Sequence, residues 1–238
     1  MGLALKFIME FKINIEATQR VASAIYEERS LRVLDLGLID YNDAYAIQRK
    51  TVEEVGAGQP ATLILSEHPP VFTLGRIATE NNFLIDQTAI KEKGAAIERI
   101  DRGGEVTFHG PGQLVVYPIL DINNYGRDLK VYLGKFEQVA IDLLQHFGIV
   151  ATRVDGKRGV FVGPRKIVSI GIGVRKWVSF HGLAVNVNTD LRYFDMIRPC
   201  GLDVKMTSMA RELNRLQDLD AVKLKFTEIF RRQFNLQE

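Results

Sequence analysis

Apolar residues recur along this chain in two periods. Leu133, Phe136, Val139, Ala140, Leu143, Leu144 and Phe147 follow at spacings of three and four, which predicts an amphipathic helix over residues 131–147, ended by Gly148. Asp40 can cap an earlier helix whose apolar face includes Tyr41, Ala44, Val52 and Val55, with Gly56 and Gly58 as its stop. Val222, Phe226, Ile229 and Phe230 predict a closing helix. Other stretches read as strands: residues 31–36, then 62–65 and 71–74 on either side of the rigid pair Pro69-Pro70. Residues 114–122 form a longer strand in which Pro118 marks an edge or a bulge. Residues 167–174 and 177–187 flank Arg175-Lys176 as a hairpin. Helices mixed with hairpin-linked strands, rather than strict βα alternation, indicate an α/β domain of the α+β kind, a mixed sheet backed by helices, and argue against a doubly wound nucleotide fold.

Length sharpens this to one domain over residues 31–238, preceded by an extension, residues 1–30, that carries no turn signal. A formal net charge of +2 is too small to indicate nucleic acid or a membrane surface as partner. No apolar run reaches the roughly 18 to 20 residues that span a bilayer. The early residues Glu10, Glu16, Glu27 and Glu28 are out of place in a transit peptide, so the expected location is the cytoplasm. The chain has one cysteine, Cys200, which excludes an internal disulfide, a thiolate-rich zinc site and an iron–sulfur cluster. Cys200 is therefore either inert or reactive.

Three segments stand out chemically. Arg102 to Gln113, RGGEVTFHGPGQ, is too rich in glycine for ordinary strand and suggests the wall of a binding site, while lacking the spacing of a phosphate loop. The plain alternative is a tight turn with a satisfied His109. Gly163 to Val187 places Lys166 at the opening of an apolar strand and His181-Gly182 inside the next one, where glycine marks a bulge or a close backbone approach. Lys166 reads as a solvated lysine and His181 as a hydrogen-bonded core histidine unless a partner is found. The third segment, IRPCG, holds Cys200 in a turn.

A free thiol with a pKa of about 8.5 needs a neighbouring base or cation to act as a nucleophile at neutral pH. Lys166, His109 and His181 are the candidates, and by residue type a histidine is favoured. Between Arg153 and Lys176 lie seven basic residues against the single acid Asp155, a stretch suited either to steering an acidic partner or to forming a solvated hairpin surface.

RGGEVTFHGPGQ, RKIVSIGI, WVSFHGLAVNV, PCGL and TSMARELN, in this order, resemble the octanoyl-acyl-carrier-protein:protein N-octanoyltransferases, also called lipoyl(octanoyl) transferases or lipoate-protein ligase B. The resemblance runs from about Leu31 onward. It implies the fold shared by biotin and lipoate protein ligases, with no cofactor and no metal. It implies Cys200 as the nucleophile that carries the acyl group and Lys166 as its activating base, in place of a histidine. It further implies acyl-binding roles for Arg102, Gly103, Gly104, Glu105, Val106, Thr107, Phe108 and His109, for Ser169, Ile170 and Gly171, and for Gly182, Leu183 and Ala184. Its implied partners are acyl carrier protein as octanoyl donor, and the lipoyl domains of 2-oxoacid dehydrogenases and the glycine cleavage H protein as acceptors. An ATP-dependent lipoate or biotin ligase of the same fold and a non-catalytic acyl-binding protein are the rival readings.

Overall fold

A computed structural model describes residues 29–198 and 204–237. Its main sheet has eight strands: β1 (Arg29–Leu38), β2 (Ala61–Glu67), β6 (Gln113–Ile119), β7 (Thr152–Val154), β8 (Lys157–Val162), β9 (Arg165–Arg175), β10 (Val178–Asn186) and β11 (Leu236–Gln237). Their spatial order is β11-β1-β2-β6-β10-β9-β8-β7. The β11-β1-β2 edge is parallel and the rest antiparallel. A second sheet, in the order β4-β3-β5, joins β3 (Val71–Leu74), β4 (Ala96–Arg99) and β5 (Val106–His109). The helices are α1 (Tyr41–Gly56), α2 (Gln87–Glu92), α3 (Leu129–His146), α4 (Met209–Leu213) and α5 (Leu219–Phe234). Among the described residues no helix is long and apolar enough to cross a membrane.

The two faces of the main sheet explain why its central strands read as unbroken apolar runs. Leu63, Leu65, Leu114, Val116, Leu183 and Val185 join one core with α3 and α5. Their neighbours Ile64, Val115, Tyr117 and Ala184 join another with Ala44, Val52 and Val55 of α1. Side chains alternate in direction along a strand, so covering both faces with helices removes the polar half of the pattern. Each long helix begins on an aspartate that accepts from the first-turn amides: Asp40 from Asn42 N–H, Asp128 from Lys130 and Val131 N–H, Asp218 from Asp220 and Ala221 N–H. Asp128 and Asp218 carry no mark in the apolar pattern, which is why the sequence placed these helix starts two or three residues late.

The strands at residues 62–65 and 71–74 both form, yet the turn at Pro69-Pro70 carries the chain from the main sheet into the small one. Within the glycine-rich segment, Val106–His109 is strand β5 after all, paired antiparallel with β3 through Phe72↔Phe108 and Thr73↔Thr107. The stretch from Gly110 to Gly112 supplies the tight turn, with Gln113 N–H donating to Gly110 O. The hairpin joins β9 to β10 through Lys176 and Trp177, both left-handed, as the favoured two-residue turn requires.

Pro118 is not at an edge, because β6 lies between β2 and β10. It is tolerated because the β6–β10 ladder ends at Val116↔Leu183, where β10 pulls away at His181 and Gly182. A Cβ on Gly182 would lie 2.1 Å from Val116 O and 2.6 Å from Pro118 Cδ, so only glycine fits this crossing. Beyond the gap, fully buried Ser179 stands in for the missing ladder. Its Oγ donates to Pro118 O at 2.7 Å and accepts from Leu120 N–H at 3.0 Å and from Tyr132 O–H at 2.8 Å. Ser179→Ala leaves these groups unpaired in the interior. We expect it to lower stability by about 1–3 kcal/mol, seen as a lower urea midpoint with an unchanged denaturant slope.

Candidate active site

A cavity of about 310 Å³ lies between the main sheet and the small one. The segment 102–107 and His109 form one wall, and Ser169, Ile170 and Gly171 of β9 with Gly182, Leu183 and Ala184 of β10 form another. Lys166, Phe161, Lys157 and Arg158 border it where β8 meets β9, and Phe194, Val204 and Met206 close a further side. The structure thus brings together every residue expected at the site except two. Phe108 packs into the satellite core instead, stacked on Tyr193 with ring centroids 4.4 Å apart and edge-on to Phe194. It shapes the wall from behind. Cys200 lies outside the described residues.

Lys166 is half-buried, with Nζ 5.8 Å from the centre of the Phe161 ring, a cation–π contact. Its stem runs against Gly159. A Cβ there would come within 2.7 Å of Lys166 Cε and 2.3 Å of Val168 O, and Gly159 has φ +110. The backbone of Lys166 is held from the other side: its N–H donates to Lys205 O and its C=O accepts from Thr207 N–H, both at 2.9 Å. These two bonds form a parallel bridge between Lys166 and Met206. The separation of 34 positions between Lys166 and Cys200 is thereby reduced to one of six, from Cys200 to Met206.

Segments that the sequence left separate are joined by a buried line of amides. Asn186 Nδ2 donates to Thr207 O at 2.9 Å, and Gln113 Nε2 donates to Asn186 Oδ1 at 2.9 Å and to Phe108 O at 3.2 Å. Those acceptors fix the amide orientation of Gln113, so its Oε1 accepts from His109 Nδ1 at 2.7 Å. Arg102 is buried too, its guanidinium donating to Thr73 O, Thr73 Oγ1 and Gly103 O at 2.7 to 3.0 Å. Its work is to hold the glycine-rich loop on β3.

A histidine–tyrosine wall, largely missed in sequence, completes the interior. His181 Nε2 donates to Asp101 Oδ1 at 3.0 Å, leaving Nδ1 to accept from Tyr41 O–H at 3.4 Å. Its backbone is left-handed at φ 54 and its N–H donates to Gln48 Oε1, so the strand kink and the ring position have one origin. His68 donates from Nδ1 to Ile39 O, which makes Nε2 the acceptor for Tyr117 O–H at 2.7 Å. Burial pushes the His109 pKa down to about 3, with nearby His68 and Arg102 adding to the effect, and burial outweighs Asp101 in pushing His181 down to about 4. Both rings are neutral at pH 7, and His181–Asp101 is a hydrogen bond there rather than an ion pair. Tyr41, Tyr117 and His68 gave no sequence signal as a group because they come from separate segments, a helix start, a central strand and the approach to Pro69-Pro70, that meet only in the fold.

The basic stretch 153–176 is not one patch. Arg153 and Arg158 pair with Glu137 at 3.2 and 3.4 Å, and Arg165 pairs with Glu212 at 2.9 Å. Arg175 and Lys176 stand at the far end of β9, roughly 30 Å from Lys166 at strand rise. Lys157 and Arg158 remain beside the cavity. Among the described residues no cluster of three or more histidine, cysteine or acidic side chains is placed to hold a metal ion.

A histidine kept neutral by the fold has a folded-state pKa below its unfolded value. The stability it contributes is complete above about pH 6.5 and is lost as the pH falls toward about 4 for His181 and about 3 for His109. Urea unfolding at pH 7 and pH 4.5 should show this drop. His181→Asn, which suits the left-handed backbone, should make the drop shallower.

Comparison with known proteins places this arrangement. The family described as lipoyl protein ligase A/B catalytic domain matches residues 40–231. A Geotalea uraniireducens protein named octanoyltransferase is 46% identical over 185 residues, covering 77% of this chain and 83% of its own length. Its counterpart in Thermoanaerobacter pseudethanolicus is 42% identical over 214 residues, covering 87% and 93%. In fold, the chain is similar to a lipoate-protein ligase A bound with ATP, at TM-score 0.71 and 16% identity over 88% of this chain and 87% of that one. The bipartite lipoate protein ligase of Thermoplasma acidophilum gives TM-score 0.71 and 16% identity over 88% and 85%.

Proposed function

This chain belongs to the lipoyl protein ligase A/B catalytic domain family, and from that premise we propose that it transfers an octanoyl group from acyl carrier protein to the target lysine of lipoyl domains through a thioester on Cys200. The carrying observation is the cavity: a largely apolar space bordered by Lys166, with the chain leading to Cys200 on its wall at Phe194 and the chain leaving it on its wall at Val204 and Met206. The naming of the relatives as octanoyltransferases supports the acyl group and supports transfer over ATP-dependent ligation. The ligase structures bear on the fold alone.

Two displacements describe the reaction. The Cys200 thiol gives its proton to Lys166 and the thiolate attacks the donor's thioester carbonyl carbon. The tetrahedral adduct collapses with loss of the carrier's pantetheine thiolate, which takes a proton from the Lys166 ammonium. The amine of the target lysine then attacks the enzyme thioester and loses a proton to the neutral Lys166 amine; the amide forms as the Cys200 thiolate departs and takes that proton back from Lys166. Each oxyanion calls for preorganised donors, worth about 3 kcal/mol apiece, and the glycine-lined walls at 102–104 and 169–171 are the candidates to supply them. Ile170, Leu183 and Ala184 supply apolar surface for the acyl chain. The neutral histidines His109 and His181 belong to the wall in this scheme, and Lys166 is the proton carrier. The chemistry runs without a cofactor or metal, and the acidic carrier and the lipoyl-bearing acceptors, the H protein of glycine cleavage included, meet it in the cytoplasm.

Incubation with octanoyl carrier protein alone, without ATP, should add one octanoyl mass to the intact protein, removable by hydroxylamine. A strict requirement for ATP and free octanoate would favour a ligase. Cys200→Ala should form no adduct and transfer nothing to a lipoyl domain. Lys166→Ala should slow single-turnover acylation by about 10²-fold or more while changing donor affinity little.

A further inference from the structure

Buried Asn82 lies outside the cavity and outside every motif singled out in the sequence. It closes a short 3-10 turn, Glu80–Asn82, in which its Oδ1 accepts from Thr79 N–H at 2.8 Å. A capping role would be complete with that bond. Yet three further hydrogen bonds leave the same residue toward the site. Asn82 Nδ2 donates to Glu105 Oε2 at 2.7 Å, on the glycine-rich wall, and to Arg198 O at 3.2 Å. Asn82 O accepts from Arg198 N–H at 2.8 Å. Both backbone groups of Arg198 are therefore held by one residue.

Arg198 stands two residues before Cys200, so their Cα atoms are at most about 7 Å apart. The neighbouring contacts extend the same grip: Phe83 bridges Ile197, and Leu84 N–H donates to Met196 O at 2.9 Å. On the far side of the cysteine, Thr207 is held by Lys166 and Asn186. The upstream anchor thus runs to the wall at Glu105 and the downstream anchor to the backbone of Lys166.

We propose that Asn82 is a positioning residue for acyl transfer: by tying the backbone just before Cys200 to Glu105, it sets the thiol where Lys166 and the acyl carbonyl can both reach it. This rests on the assignment of Cys200 as the nucleophile. Asn82 does not touch the acyl group and acts through the segment it holds.

Asn82→Asp is the sharpest variant. It keeps the side-chain shape and the acceptor for Thr79 N–H, and it replaces the Nδ2 donor with an oxygen facing Glu105 and Arg198 O. Asn82→Ala removes both functions, and thermal melts of the two report how much folding is lost. We expect kcat for octanoyl transfer to fall about 10- to 100-fold in Asn82→Asp, with the KM for octanoyl carrier protein within about twofold. A KM rise at unchanged kcat, or no change in either, overturns the proposal. The pH dependence of Cys200 alkylation by iodoacetamide gives a second readout that lost stability alone would not move. In the wild type the profile should lie below that of a free thiol, and in Asn82→Asp it should move up toward about 8.5. Superimposed profiles with the wild type depressed overturn the clamp. A wild-type profile already at the free-thiol position would instead overturn the pairing of Cys200 with Lys166, and the kcat and KM comparison would then decide on Asn82 alone.

Discussion

The two backbone hydrogen bonds between Lys166 and the segment 205–207 are what the rest of the site depends on. They join the opening of β9 to the chain that leaves Cys200, across a loop that the sheet topology does not otherwise control. With that bridge in place, Lys166 is fixed three ways. Its backbone is pinned by Lys205 and Thr207, its stem passes the bare Cα of Gly159, and its Nζ rests over Phe161. Burying a lysine stem this way leaves little rotamer freedom to be lost on reaction, which is what a proton carrier needs.

Around this bridge the chain spends its buried polar groups on holding loops to strands. Gln113, Asn186 and Thr207 form one line from the glycine-rich wall to the flank of the cysteine, and Asn82 with Glu105 forms another. Arg102 fastens the loop to β3. Tyr41, His68, Tyr117 and His181 fill the interior behind the cavity as neutral hydrogen-bonded partners, with the half-exposed Asp101 carboxylate accepting from His181. A buried network of this kind is costly unless every member is satisfied, and so it specifies one arrangement of loops.

Much of this was legible in the chain. The long helices announced themselves by period, the hairpin by its flanking strands and charged tip, and the site by the glycine density of 102–112. Resemblance, rather than pKa reasoning, singled out Lys166 over His109 and His181; the low pKa values of the two histidines give a physical reason to pass them over at neutral pH. What stayed hidden is what depends on contacts between distant residues. Pro118 read as an edge or a bulge because the sequence cannot show that β10 kinks opposite it. Phe108 entered the expected site because the resemblance carried an acyl-binding role onto the whole run 102–109, whereas strand alternation turns its ring into the satellite core. The basic stretch looked like one field because Glu137 and Glu212, its partners, lie far off in sequence.

The central claim is that the thiol of Cys200 and the amine of Lys166 meet. Ortho-phthalaldehyde condenses a thiol and an amine into a fluorescent isoindole only when the two are within bonding reach. Treatment of the folded protein followed by peptide mapping should yield a single isoindole joining Cys200 to Lys166, absent in Lys166→Ala. Its absence from the folded wild type, or a link from Cys200 to another lysine, would contradict the account.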